Sequence, residues 1–183
     1  GMAQAAAASP TGMAAVLGGV EQDVRQAIDE AALVAANSNG AGQIVAAGPL
    51  EAIEAFAANP PARTRVIPLK VAGAFHTQAM APAVEPLAAF AAELTVNDPA
   101  YELLSNRDGE RISTGREFVD SLVSQVTSPV RWDRCMSTLI AAEVDSIIEV
   151  APAGTLVGLA KRAMRGVPSA AVNTPEDLEA VTV

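Results

Sequence analysis

His76 is the only histidine in these 183 residues. It stands in "VAGAFHTQAM" (71–80), and imidazole is the side chain best placed to move a proton near neutral pH. Two readings of it stand side by side: a general base, or a core histidine bonded to a backbone carbonyl. A base acting in covalent catalysis needs a nucleophile beside it. No serine, from Ser9 to Ser169, lies in a Gly-x-Ser-x-Gly elbow. The single cysteine, Cys135 in "RWDRCMSTLIAA", has no elbow either and is expected to pack as a small apolar residue. One cysteine allows no internal disulfide. One histidine without acids in ligand spacing gives no metal site.

Three further stretches carry polar groups in suggestive places. "NSNGAGQ" (37–43) sets Asn37 and Asn39 beside glycines, which reads as a turn between strands. "EVAPAGTL" (149–156) reads as a strand, a tight turn and a helix N-terminus, where free amides would receive an anion or simply make a βα turn. "AKRAMRG" (160–166) places Lys161, Arg162 and Arg165 near a helix end, as complements to the helix dipole or as a basic patch.

The elements that must position these groups follow from hydrophobic period and punctuation. Strand signals at 12–19, 33–39, 42–48 and 63–71 alternate with helical spacing at 21–32 and 49–60. The resulting order, βαββαβ, is the split βαβ, ferredoxin-like pattern. Residues 76–94 are helical by pattern, with Pro82 and Pro86 expected to kink or confine the helix. Strands are expected at 101–106, 145–152 and 169–174, and helices at 114–126, 128–143 and 153–166, with a last helical turn after Thr174. "RDGER" reads as a turn. Alternation of strand and helix in this half predicts parallel pairing, with strands near 103, 148 and 171 forming a thin sheet. The fold class is therefore α/β: one complete α+β unit followed by part of an α/β layer.

Composition narrows the function. Net charge is −9 and aromatics are 3% of residues. Such a chain lacks the cations and the stacking platforms that nucleic acid requires, so no nucleic-acid partner is expected. No segment is long and apolar enough to span a membrane, and the start lacks a basic signal-peptide region, so a cytoplasmic setting is expected.

Read together, "NSNGAGQIVAAG", "VAGAFHTQAMAPA", "LLSNRDG", "VSQVTSPVRWDRCM" and "EVAPAGTLVGLAKR" occur in an order and spacing that strongly resembles the C-terminal part of the malonyl-CoA:acyl-carrier-protein transacylases of fatty acid synthesis, closest to the actinobacterial type. The resemblance covers essentially the whole chain. Acyltransferase domains of polyketide synthases are the nearest alternative, and a non-catalytic module that binds acyl carrier or partner protein is the competing class.

The resemblance implies an α/β-hydrolase-like acyltransferase core carrying a ferredoxin-like subdomain, with residues 12–71 as the subdomain and 72–183 as the second half of the core. It implies malonyl-CoA as substrate, acyl carrier protein as partner and no bound cofactor. His76 falls on the family's base, and Gln125 on the residue whose main-chain carbonyl orients the imidazole. Asn39 and Asn106 fall on cleft-side asparagines. Phe75 falls where a bulky residue accompanies malonyl over methylmalonyl selection, because an aromatic fills the space an α-methyl would need. Lys161, Arg162 and Arg165 are candidates for docking an acidic carrier. The nucleophile elbow, the oxyanion-hole loop and the carboxylate-binding arginine are expected in a missing N-terminal half of the same enzyme. A base without its nucleophile does not carry covalent catalysis, so the chain alone is expected not to become malonylated.

Overall fold

A computed structural model gives the fold and describes residues 1–181. It opens with an alanine-rich helix, α1 (Met2–Ala8), which has no side-chain cap and so carries no start signal in the sequence. The βαββαβ unit follows: β1 (Thr11–Gly18), α2 (Glu21–Glu30), β2 (Val34–Gly40), β3 (Gln43–Pro49), α3 (Leu50–Ala58) and β4 (Thr64–Pro68). Its sheet has the order β2-β3-β1-β4 with every neighbouring pair antiparallel, the ferredoxin-like arrangement.

The strands are apolar without alternation because both faces of this sheet are covered. Ala14, Val16, Ile44 and Ala46 face the helices and pack with Val24, Ile28, Ile53 and Phe56. Their neighbours Met13, Val45 and Ala47 point the other way and close over Ala36 and Ala74. Ala74 lies two residues before His76, so the second face of the sheet is the floor of the histidine turn.

The turn expected within 37–43 falls at its C-terminal part, after the strand expected over 33–39. β2 runs through Asn37 and Asn39 to Gly40, and the hairpin closes at Ala41 and Gly42, whose φ values are 48° and 73°. Two positive φ values in a two-residue loop match the right-handed twist of the flanking strands. Strand geometry persists this far because a distant segment pairs with the edge. Ser38 N–H donates to Val130 O, and Val130 N–H donates to Ala36 O, both at 2.8 Å.

After β4 come a 3-10 helix (Gln78–Ala83) and α4 (Val84–Ala92) in place of one continuous helix. Pro82 lies in the 3-10 segment and Pro86 in the first turn of α4, where a missing N–H costs no helical bond. Then follow β5 (Leu103–Leu104), β6 (Arg111–Ile112), α5 (Gly115–Gln125), α6 (Trp132–Ala141), β7 (Ile147–Val150), α7 (Thr155–Ala163), β8 (Ser169–Val172) and a closing 3-10 helix (Pro175–Ala180).

The expected three-stranded layer does not form. β5 pairs antiparallel with β6, part of which was expected to be a turn, while β7 and β8 form a parallel pair by themselves among the described residues. The cause is local. Ser105 N–H donates to Glu110 O and Gly109 N–H to Ser105 O, so "NRDGE" folds β5 into its own hairpin. The β7–β8 pair leaves Ile148 43% and Val150 73% exposed.

Candidate active site

His76 sits in the left-handed region, with φ of 60°. Histidine tolerates that region better than most side chains, but a non-glycine residue there persists only when its surroundings over-determine it. The surroundings do so here. Thr77, not His76, caps the 3-10 helix: its hydroxyl accepts from Ala79 N–H at 3.2 Å and donates to Ala74 O at 2.7 Å. Phe75 N–H donates to Gly73 O at 3.0 Å. Ala74 and Met80 are fully buried on either side of the corner. Phe75 is half-buried and packs against both the cluster of Ala5, Ala6, Met80 and Val126 and the cluster under the sheet, wedging the turn immediately before His76.

The imidazole is oriented from the other half of the chain. His76 Nδ1 lies 3.0 Å from the main-chain oxygen of Gln125. A carbonyl oxygen only accepts, so Nδ1 carries the proton and Nε2 of the neutral ring is the basic nitrogen. Gln125 is the last residue of α5, where helical carbonyls lack intrahelical donors and the helix dipole favours a partial positive charge. Its side chain folds the chain beyond: Nε2 donates to Ser128 O at 2.7 Å and to Pro129 O at 3.0 Å. The next residue, Val130, is the one paired with β2. One short segment therefore ties the imidazole's acceptor to the edge of the ferredoxin-like sheet.

The remaining candidates divide. Asn106 and Gln125 line the same small hollow, of about 80 Å³, with Ser121 and Leu122. The Asn106 carbonyl accepts from Arg131 N–H at 2.6 Å. Asn39 is half-buried near the end of β2, and among the described residues its side chain has no hydrogen-bond partner. Lys161, Arg162 and Arg165 are exposed and lie on and just beyond the last turn of α7, in no hydrogen bond to the histidine turn. Arg162 donates to Gln43 Oε1 at 2.8 Å, bracing α7 against the β2–β3 hairpin.

Two other groups have settled structural roles. Cys135 is 2% exposed, its thiol directed at Ser105 O at 3.3 Å, and burial pushes it up to about 11, so it is a thiol and no nucleophile. The amides at the start of α7 are not free for an anion. The Glu149 carboxylate accepts from Gly154, Leu156 and Val157 N–H, each at 2.9 Å. Burial opposes its charge, but the Val157, Leu156 and Gly154 amides outweigh that and hold it below the usual carboxylate range. The sequence reading missed Glu149 and Thr77. Thr77 had a local signal, a threonine ahead of a helical stretch. Glu149 had none, since it reaches its partners only after the chain has turned back.

The acyl transferase domain family matches residues 1–176. The chain is 54% identical over 178 residues to the malonyl CoA-acyl carrier protein transacylase of Mycobacterium tuberculosis, covering 97% of this chain and 59% of that protein. The crystal structure of MCAT from Mycobacterium tuberculosis superposes with a TM-score of 0.94 at 54% identity, covering 98% of this chain and 59% of that one. A type II polyketide acyl-carrier protein in complex with its malonyl-transacylase is similar at a TM-score of 0.89 and 27% identity, over 97% of this chain and 60% of that one. The chain thus spans about 59% of the length of that curated relative.

Proposed function

The chain belongs to the acyl transferase domain family, and from that premise we propose that it supplies the general-base side of a malonyl-transfer site. The observation that carries the reading is the 3.0 Å bond from His76 Nδ1 to Gln125 O, which leaves Nε2 to take a proton. The substrate is malonyl-CoA and the acceptor is acyl carrier protein, in keeping with the names of the relatives. A serine hydroxyl attacks the thioester carbonyl while Nε2 removes its proton. The C–S bond breaks, and the leaving sulfur takes that proton to become the coenzyme A thiol. In the second half, the phosphopantetheine thiol gives its proton to Nε2 and its sulfur attacks the acyl-serine. The serine oxygen leaves and recovers the proton. The Gln125 carbonyl stabilises the imidazolium in both halves, taking the place of a triad carboxylate.

The nucleophile comes from outside these residues, because no Gly-x-Ser-x-Gly elbow is among them. An N-terminal half of the same enzyme is the proposed source, and the exposed Ile148 and Val150 on β7 favour a further layer there. Residues 12–71 act as the ferredoxin-like subdomain and 72–183 as part of the core. Phe75 limits the acyl group, Asn39 and Asn106 face the cleft, and Lys161, Arg162 and Arg165 receive the acidic carrier. A cytoplasmic setting belongs to the same proposal; among the described residues no helix is long and apolar enough to cross a membrane.

Intact-mass measurement after incubation with malonyl-CoA tests the reading. The chain alone should gain no malonyl adduct. A form joined to a segment that carries the elbow should gain one on the elbow serine, and His76→Ala should abolish it. A stable adduct on the isolated chain, or full activity of His76→Ala in the joined form, overturns the proposal.

A further inference from the structure

We infer that Thr11, the first residue of β1, is a positioning residue for His76, acting through the amide of Ala74. The inference rests on the reading of His76 as the base. Thr11 Oγ1 accepts from Ala74 N–H at 3.0 Å across a separation of 63 residues. The carbonyl of Ala74 accepts from the Thr77 hydroxyl at 2.7 Å. Two threonines, one at the start of β1 and one inside the turn, therefore hold both polar groups of one residue, two positions before the imidazole.

Three observations make the Thr11 contact more than a folding detail. Ala74 is 0% exposed, so no water replaces a lost partner, and an unpaired buried N–H must find one by moving. The other main-chain N–H bonds here stay within the turn: Phe75 N–H goes to Gly73 O and Met80 N–H to Thr77 O. Among the described residues, Thr11 is thus the tether that fixes the backbone of 73–77 to the sheet. Finally, residue 73 crowds the contact, so a side chain there would press on the hydroxyl. A Cβ at Gly73 would stand 3.0 Å from Ala6 Cβ and 3.2 Å from Thr11 Oγ1.

Thr11 is itself held in register. It pairs with Pro49 across β1–β3, and Leu50 N–H donates to Pro10 O at 3.1 Å. The imidazole is consequently aimed from two sides. Gln125 O holds the ring, and the ferredoxin-like sheet, through Thr11, holds the backbone that carries it. A displacement of the sheet relative to α5 rotates Nε2 and weakens the bond at Nδ1.

The lone histidine makes this measurable without assignment, since the ¹⁵N imidazole spectrum of the chain reports His76 alone. The wild type should show the Nδ1–H tautomer. Thr11→Val, close in shape but without an acceptor, should move the tautomer ratio toward Nε2–H by roughly five- to tenfold, the factor carried by one ordinary hydrogen bond. Thr11→Ser should restore the wild-type ratio. A Thr11→Val protein that melts lower while the ratio stays unchanged overturns the inference, as does a Thr11→Ser protein that fails to restore it. If Thr11→Val does not fold, Thr11→Ala carries the test by removing the same acceptor with a smaller side chain, and an unchanged ratio there overturns it equally. The base reading fails separately: that would appear as acyl transfer surviving His76→Ala in the elbow-bearing form, whatever the tautomer.

Discussion

Gln125→Met isolates what the side chain of Gln125 does for the imidazole, because it keeps the main-chain carbonyl that bonds Nδ1. Methionine matches glutamine in length and helix propensity but donates nothing. Two bonds are lost, to Ser128 O at 2.7 Å and Pro129 O at 3.0 Å. Ser128 is half-buried, so its bond is worth about 1 kcal/mol, while Pro129 is exposed and water replaces much of the second. The expected loss is about 1–1.5 kcal/mol of unfolding free energy, read as a lower urea midpoint at constant slope. The loosened turn lets the carbonyl drift from the ring. If the whole Nδ1 bond is lost, about 1 kcal/mol less stabilisation of the imidazolium slows malonylation by roughly fivefold in the elbow-bearing form. Rapid-mixing mass spectrometry measures that rate. A lower midpoint with an unaltered rate and an unaltered His76 spectrum would refute the argument that the side chain serves the histidine.

Other perturbations probe other parts of the molecule. Glu149→Gln should cost about 1–2 kcal/mol near neutral pH through its charge-assisted bonds to the start of α7. Because its folded pKa is depressed from 4.5, that contribution is present above 4.5 and lost as pH falls through the lower folded value. Denaturant titrations of both proteins should therefore converge in acid. Ala41→Asn should raise stability by about 0.5–1 kcal/mol, since Ala41 is exposed at φ 48° and asparagine accepts that region more readily; an unchanged melting temperature would count against it. Phe75→Ser in the elbow-bearing form should raise methylmalonyl relative to malonyl transfer by roughly tenfold, and an equal ratio would remove the steric account. Reversing the charge of Lys161 and Arg165 together should raise KM for carrier protein and leave KM for malonyl-CoA alone; the opposite pattern would exclude docking there.

The elements of the first half were legible because their signals are local. β1 and β3 are short apolar runs bounded by glycine or proline, and α2 and α3 repeat Val24/Ile28 and Ile53/Phe56 at helical spacing. The second half was harder. "YELLSN" has the composition of a buried strand, yet the bonds of Ser105 turn it into a hairpin with Arg111–Ile112. Nothing in a strand's own residues says which neighbour it will take. The pairing of β2 with Val130 at Asn37 is likewise named by nothing in either segment's own residues.

The sequence by itself determined that there is one imidazole to consider, the βαββαβ order of the first unit and the identity of the family. The tertiary structure alone decided how that imidazole is held. Its Nδ1 acceptor lies 49 residues away at the end of α5, and the tether of its backbone lies 63 residues away at the start of β1. Neither partner is distinguished by composition: one is a main-chain carbonyl, which every residue has, and the other is an ordinary threonine. What distinguishes them is position, fixed by a helix terminus whose carbonyl has no donor within the helix and by a strand register that brings one hydroxyl beneath one amide.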